Sequence, residues 1–405
     1  MSAGIFNLPN KLNNKGIVRK KILSVGHVEF PDIGQAQVQR QLLMAKAIIL
    51  EGFDITILCR YGIHSESDEI NIEGIFEGVH YVYCSGTSVR PKNFFRRTYL
   101  KFRGMIKEAI YYKKFSINKQ LAGVLVSTNS FHNILFYFFL GKIFKVITVV
   151  DNVEYWTSKK NYKRLDRIDK FFYDKFYFLF VDKIICISDF LISKIWKFAK
   201  NKVIKIPVIT DFEKFSINKN HERVIKGSYF LFCGSEKYFD VIDFVISAFE
   251  KQAESNDTYL VLVTKSSEEI KIRFDKSRNK ERILIYSNIP YSDLINLYCN
   301  SEALIIPMRN TDQDKARFPH KISEYCASAR PIITNGIGEI NNYFNYTNAY
   351  LCPDYDEQKF ADAMQAIISD PDKAKKIAMN SYLTGMFNFN YKSYSKKLAD
   401  LFINI

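Results

Sequence analysis

KILSVGHVEFPDIGQAQVQRQLLMAKAIILEGFDITILC, residues 21–59, reads as strand, polar turn, helix and strand in immediate succession. Lys21–Val28 is a short apolar run of strand length, and Gln35–Glu51 sets Val38, Leu42, Ala45 and Ile49 on one helical face. Gly52 stops the helix, and Phe53–Cys59 is the second apolar run. Two strands running the same way need a crossover between them, so this β-α-β unit belongs to a parallel sheet covered by helices.

Outward from this unit the pattern repeats. Further strands are expected at His80–Cys84, Gly123–Thr128, Val146–Asp151, Lys183–Ser188 and Lys202–Val208. A second series starts at Ser228–Ser235 and continues through Thr258–Thr264, Arg282–Asn288, Ala303–Met308 and Pro331–Thr334. Continuous apolar strands alternating with helices predict an α/β protein of two doubly wound, Rossmann-like domains. The expected division is 1–210 and 211–387, with a junction in the polar stretch Ile209–Gly227 and a C-terminal helix, 388–405, rejoining the first domain. Ligands of such folds bind outside the C-terminal ends of the strands, here in a cleft between the two sheets. Ahead of the first strand lies a lead of about 18 residues rich in Asn, Lys and Gly, the segment where disorder is expected.

A net charge of +15 points to an anionic partner: nucleic acid, an anionic membrane surface or a phosphorylated substrate. The seven cysteines are odd in number, scattered and free of any CxxC pair. That fits buried thiols in a reducing cytoplasm better than a disulfide framework or a zinc site. The N-terminus has no apolar core of a secretory signal. Phe131–Val150 is the most membrane-like stretch, but Gly141, Lys142 and Lys145 interrupt it, so a buried helix, a turn and a buried strand are expected. Arg90–Lys119 holds ten Lys/Arg against one acidic residue, Glu108, together with many Phe and Tyr. It reads as a basic amphipathic helix, or pair of helices. Either its aromatics pack inward beneath a solvated face, or it docks on anionic headgroups or a lipid phosphate, with Arg96 and Arg97 on the acceptor side. No nucleic-acid module accompanies the charge, so no nucleic-acid partner is expected.

The chemistry concentrates in PMRNTDQDKARFPHKISEYCASARPIITNGIGE, Pro307–Glu339. A strand ends at Met308, a charged loop follows, and a helix is expected to begin near Pro319. Lys321 and Glu324 are three apart and share a helical face, either as an ordinary surface ion pair or as a cation and a carboxylate aimed at one ligand. Asp312 and Asp314 form a D-x-D that is either a metal site or a solvated loop. The six histidines, His27, His64, His80, His132, His221 and His320, show no ligand spacing. His27 and His132 fall near strand ends facing the cleft.

The run FPHKISEYCASARPIIT resembles the donor-binding signature of glycosyltransferase family 4, a family of retaining enzymes with the GT-B fold. DNVEYWTSKK (Asp151–Lys160), VDKIICISDFL, IPVITDFEKF and NFNYKSYSKKLADLF resemble further segments of the same family, in the same order, with a capsule or exopolysaccharide flavour. The resemblance implies sugar transfer from a UDP- or GDP-sugar to a hydroxyl of a lipid-linked glycan, at the inner face of a bacterial cell membrane. It implies donor contacts from Gly34, Gly234, Ser235, Lys237, Arg317, Phe318, Pro319, Lys321 and Glu324, with Glu324 on the ribose. Asp151, Glu154 and Lys321 would be the catalytic set, and no metal or cofactor is expected. Three departures are visible. Ala316 stands where the family has a first motif glutamate, Val153 where a histidine is common, and Asp240 where a lysine is usual. They open the alternative of a catalytically silent protein serving as a binding or assembly subunit.

Overall fold

The computed structural model describes residues 19–26, 30–31, 35–65, 69–158, 163–217, 224–236, 238–252 and 258–403. Two sheets carry the chain. The first holds β1 (Lys21–Gly26), β2 (Asp54–Cys59), β3 (Glu73–Phe76), β4 (Val79–Tyr83), β5 (Leu121–Ser127), β6 (Ile147–Asn152), β7 (Lys183–Cys186) and β8 (Val203–Lys205). Their order is β3-β4-β2-β1-β5-β6-β7-β8. All neighbours are parallel except β3, an antiparallel edge strand that the sequence pattern did not announce. The second sheet holds β9 (Tyr229–Cys233), β10 (Tyr259–Val263), β11 (Ile283–Tyr286), β12 (Ala303–Ile306), β13 (Ile332–Asn335) and β14 (Tyr350–Cys352), in the order β11-β10-β9-β12-β13-β14. The last strand, β14, also escaped the sequence reading. β8 is shorter than the expected Lys202–Val208, because the chain leaves the sheet at Ile206.

The strand order reverses at β1 in the first sheet and at β9 in the second, so a crevice opens beside each. Gly26 ends β1 at φ +117, where a side chain would collide with the Ser127 backbone at the end of β5. The helix Ala36–Leu50 covers one face of the first sheet, packing Val38, Leu42 and Ala45 against Ile22, Ile57 and Leu125. On the opposite face lie the helices Phe94–Ile117, Phe131–Phe144, Arg164–Phe176 and Asp189–Ala199. Tyr112, Ile134, Tyr137, Tyr173, Leu191 and Ile195 join the strand residues Val25, Val126 and Ile184 there.

The chain crosses between the sheets twice, side by side. Thr210 pairs with Asn390 in an isolated parallel bridge, with Thr210 N donating to Phe389 O at 2.8 Å. The expected C-terminal helix 388–405 is broken up. The long helix Pro371–Phe389 is followed by a 3-10 turn at Tyr391–Tyr394, a short helix at Ser395–Ala399 and a second turn at Asp400–Phe402. Leu398, Leu401 and Phe402 nevertheless pack into the core beneath Ala36–Leu50. Gly123 leaves room for the Phe402 ring.

Among the described residues no helix is long and apolar enough to cross a membrane. The helix Phe131–Phe144 is not the buried one expected, since Phe139 and Ile143 face solvent. The basic segment differs more. One helix, Phe94–Ile117, buries only Leu100, Gly104, Glu108 and Tyr112, while Phe94, Phe95, Tyr99 and Phe102 are exposed, Phe95 at 81%. The inward-packing reading of these aromatics is therefore corrected. Glu108, the segment's one acid, turns inward because Arg60 meets it at 2.9 Å and Tyr137 OH donates to it at 3.1 Å.

Candidate active site

A cleft of about 1420 Å³ lies between the C-terminal ends of the two sheets. From the first sheet it takes Arg40, the ends of β5 and β6 with Asn129, Asp151 and Glu154, and Val208 on the crossing segment. From the second it takes the exits of β9 to β12, including Gly234, Ser235, Tyr291, Arg317, Phe318, Pro319, His320 and Lys321.

On the second-sheet wall the helix starts at Lys321, two residues later than expected. Pro319 and His320 form a turn ahead of it, with Ile322 N donating to Pro319 O. Lys321 Nζ donates to Glu324 Oε2 at 3.1 Å, so the shared face read from the i, i+3 spacing is real. It is not a surface pair, because Glu324 is 0% exposed. Tyr291 OH donates to Glu324 Oε1 at 3.0 Å, and His320 Nε2 lies 3.7 Å from that oxygen. Burial pushes the Glu324 carboxyl up. Lys321, His320 and the two hydrogen bonds outweigh burial and hold it below the usual glutamate range. Burial lowers His320 to about 4, so its ring is neutral. Glu324 thus stands directly behind Lys321 and Tyr291, which line the cleft.

A second cationic group forms where the charged loop folds back. The loop is a short helix, Asp312–Ala316, capped by Thr311, whose hydroxyl accepts from Asp314 N. Asp314 is fully buried and grips Arg309 through Nε and Nη2, both at 3.0 Å, and Arg317 through Nη2 at 3.0 Å. Of the D-x-D, Asp312 is exposed to solvent and Asp314 is turned into the protein. Asp314 is saturated by arginine, and among the described residues no group of three or more His, Cys, Asp or Glu gathers as a metal site. Arg317 lies 4.5 Å over the Tyr238 ring with its Nε buried and unpaired, and it lines the cleft. Arg309, which the sequence reading did not single out, holds Asp240 at 2.6 Å. Asp240 thus adds a carboxylate where the family pattern has a lysine. Phe318 stacks on Tyr343 at 5.4 Å and meets Phe389, anchoring the wall to the long C-terminal helix. Gly234 passes the Phe232 ring so closely that a side chain there would clash. Gly34, Lys237 and His27 lie outside the described residues.

The first-sheet wall is built around an ion pair no motif announced. Arg40 Nε and Nη2 both donate to Asp151 at 2.9 Å, and its other hydrogen bonds go to Pro207 O (2.6 Å) and Ile206 O (3.0 Å). Both side chains are buried. Asp151 therefore lines the cleft with its carboxylate already held. Glu154 lines it too, beside Val153. His132 does not reach the cleft: it is exposed at the start of its helix and pairs with Asp169 at 3.2 Å. Arg96 and Arg97 lie on the helix Phe94–Ile117, also outside the cleft. Arg40 sits among Gln37, Gln39 and Gln41 near the start of the first helix, where no local pattern marks it.

Residues 213–384 match the family described as "Glycosyl transferases group 1". No curated protein matches the chain in sequence. Among solved structures, a glycosyltransferase from Rickettsia africae shares 16% identity at a TM-score of 0.67, covering 95% of this chain and 98% of that one. Sucrose-phosphate synthase from Thermosynechococcus elongatus shares 15% at a TM-score of 0.71, with the same coverage. Anabaena HepE, solved in complex with UDP and glucose, shares 12% at a TM-score of 0.66, covering 94% and 98%. These likenesses show the fold, the GT-B arrangement of two Rossmann-like domains. With its group 1 domain the chain is a glycosyltransferase.

Proposed function

We propose that the cleft transfers a sugar, with retention, from a UDP- or GDP-sugar to a hydroxyl of a lipid-linked glycan. This is family 4 chemistry in capsule, exopolysaccharide or lipopolysaccharide assembly. The observation that carries the donor half is the Lys321–Glu324 pair inside the group 1 domain, with Arg317 beside it at the cleft. In the reaction the bond from the sugar to the diphosphate breaks and negative charge grows on the leaving group. Lys321 and Arg317 are cations already in place to stabilise it. Glu324 takes the ribose hydroxyls once Tyr291 yields its place on Oε1. Glu154 and Asp151 orient the acceptor side, and the donor domain is taken as 211–387. UDP is favoured by the Anabaena protein, solved with UDP-glucose. The proposed transfer uses no metal or cofactor.

The membrane half rests on exposure. Phe95, Tyr99, Phe102, Ile106 and Ile117 all face solvent on a helix dense in Arg and Lys. On neighbouring helices Leu165, Ile168, Phe171, Trp196 and Phe198 are exposed as well. An apolar surface studded with cations suits the anionic inner face of a cell membrane, from the cytoplasmic side. Replacing Phe95, Phe102 and Ile106 with Ser removes apolar contacts without touching the core, and should release the protein from anionic vesicles. Retained binding would sink the membrane half.

The donor half is tested by thermal stability against UDP-, GDP-, CMP- and dTDP-sugars, in the native chain and in Glu324→Ala. A nucleotide-specific rise of the melting temperature that the variant loses is expected. No rise with any donor would favour the silent subunit, a reading supported by Ala316. That residue is fully buried, with its carbonyl accepting from Ser188 Oγ at 2.5 Å.

A further inference from the structure

The loops that leave β2 and β4 are tied together. Ile63 N and His64 N both donate to Ser88 O, at 2.8 and 3.0 Å, and Arg90 N donates to His64 O at 2.9 Å. Gly62 lies so close to the Ser88–Val89 backbone that no side chain would fit. The helix Phe94–Ile117 is clamped over these loops by buried Leu100 and by Gly104, which passes against the Arg60 carbonyl. Between loops and helix is a pocket of about 60 Å³ that shares no residue with the cleft. At ~10–15 Å³ for each water, it holds about four waters, enough for one tetrahedral oxyanion and too little for a sugar ring.

Three cations line this pocket: Arg90 from the loop, and Arg97 with Lys101 one helical turn apart. Elsewhere in the chain buried Arg60 and Arg40 meet Glu108 and Asp151, and half-buried Arg309 meets Asp314, whereas here Arg90 and Lys101 are exposed and Arg97 is half-buried. Among the described residues no carboxylate comes within ion-pair distance of Arg90, Arg97 or Lys101. Like charges one turn apart repel, and nothing in the chain relieves them here. Lys101 Nζ sits 4.9 Å over the Tyr61 ring, which orients it but supplies no counter-charge. Burial lowers the Lys101 ammonium, and Arg90, Arg97 and Arg60 lower it further, as expected for a site short of an anion.

We propose that Arg90, Arg97 and Lys101 form a phosphate-binding pocket, separate from the cleft, for the phosphate group of a lipid or for free phosphate. It lies at the same C-terminal sheet edge as the acceptor side of the cleft, on the helix that exposes Phe94, Phe95 and Tyr99. A phosphate held there would supply the missing charge through charge-assisted hydrogen bonds from three sides. The proposal does not depend on what the cleft transfers.

The test compares two double variants of the full chain with equal loss of charge on the same helix. R97Q/K101Q empties the pocket, while K113Q/K114Q leaves it intact. Titration calorimetry with inorganic phosphate, run with the cleft filled by nucleotide, should show affinity falling about tenfold or more in the first and unchanged in the second. Co-sedimentation with phosphatidylcholine vesicles, with and without phosphatidic acid, separates the sources. A selective drop for R97Q/K101Q on phosphatidic acid assigns the pocket to a lipid phosphate. The same calorimetric loss with no vesicle difference assigns it to free phosphate. Equal losses in both variants would mean bulk charge alone, and no loss in either would mean no site; each overturns the proposal.

Discussion

On the second-sheet wall of the cleft, Lys321 and Glu324 sit one helical turn apart and meet at 3.1 Å. On the first-sheet wall, Arg40 reaches Asp151 across 111 residues of sequence and holds it at 2.9 Å. The carboxylate is buried in both. The cations differ: Lys321 keeps part of its surface at the cleft, whereas Arg40 is enclosed and spends its remaining donors on the carbonyls of Ile206 and Pro207. The local pair is open to a ligand. The distant pair fastens the first helix and β6 to the segment where the chain leaves the first sheet. Two pairs of the same chemistry thus differ in what they face, one at the cleft and one enclosed in the frame.

The largest effect should come from breaking the frame pair. Asp151→Ala leaves the Arg40 guanidinium buried with only carbonyl partners, at a cost of about 3–5 kcal/mol. Glu324→Ala should cost less in denaturant unfolding, because Lys321 can turn toward the cleft and water, while donor binding suffers more. Urea titrations of both variants, alongside donor titrations, check the crossing. If Asp151→Ala unfolds no more easily than Glu324→Ala, the division of roles is wrong and Asp151 belongs with the chemistry.

His320 sharpens the comparison, because it sits beside the local pair and has its own pH signature. Its folded value, lowered by burial to about 4, lies below the unfolded imidazole value of about 6.5. The unfolded chain therefore binds the proton first as pH falls, and stability is lost between about pH 6.5 and 4, by up to about 3 kcal/mol. Glu324 acts at a lower pH. Its carboxyl is held below the ordinary glutamate value, so its contribution is present above that value and disappears only as pH falls through the folded one. His320→Leu should flatten the upper part of this slope and leave the lower part. An unchanged slope in urea titrations across this window would mean that other groups set it.

The two pairs also mark what could be read in advance. The β-α-β pattern exposed both sheets, since buried parallel strands write themselves as apolar runs, and β3 was missed because its residues are exposed at an edge. Lys321 and Glu324 were legible because i, i+3 spacing is a statement about geometry. Arg40 and Asp151 were not, because nothing local encodes a partner 111 residues away. Residue spacing along the helix Phe94–Ile117 likewise could not say which of two faces turns inward. Tertiary pairing decided it, when Arg60 drew Glu108 into the core and left Phe95, Tyr99 and Phe102 outside.

The smallest effect concerns the contact that joins the two walls behind the cleft. Glu339, buried in the second domain, pairs with Lys205 Nζ at 2.7 Å and accepts from the Asp189 backbone N–H, both on the first sheet's side. Lys205 also meets Asp189 at 2.9 Å, and Asn342 donates to Asp189 at 2.8 Å. Burial works against the Lys205 charge, but its hydrogen bonds to the Glu339 and Asp189 carboxylates raise its ammonium above the ordinary lysine range. Glu339→Gln keeps an oxygen for the Asp189 N–H and removes the charge facing Lys205, so a loss of about 1 kcal/mol is expected. Asp189 remains as a second partner and limits the damage. A double-mutant cycle with Lys205→Met isolates the pair, and coupling of about 1 kcal/mol would make it an energetic link between the domains. Coupling near zero would leave the paired crossing at Thr210 and Asn390, with the aromatic packing of Phe318, Tyr343 and Phe389, as what holds the two walls in register.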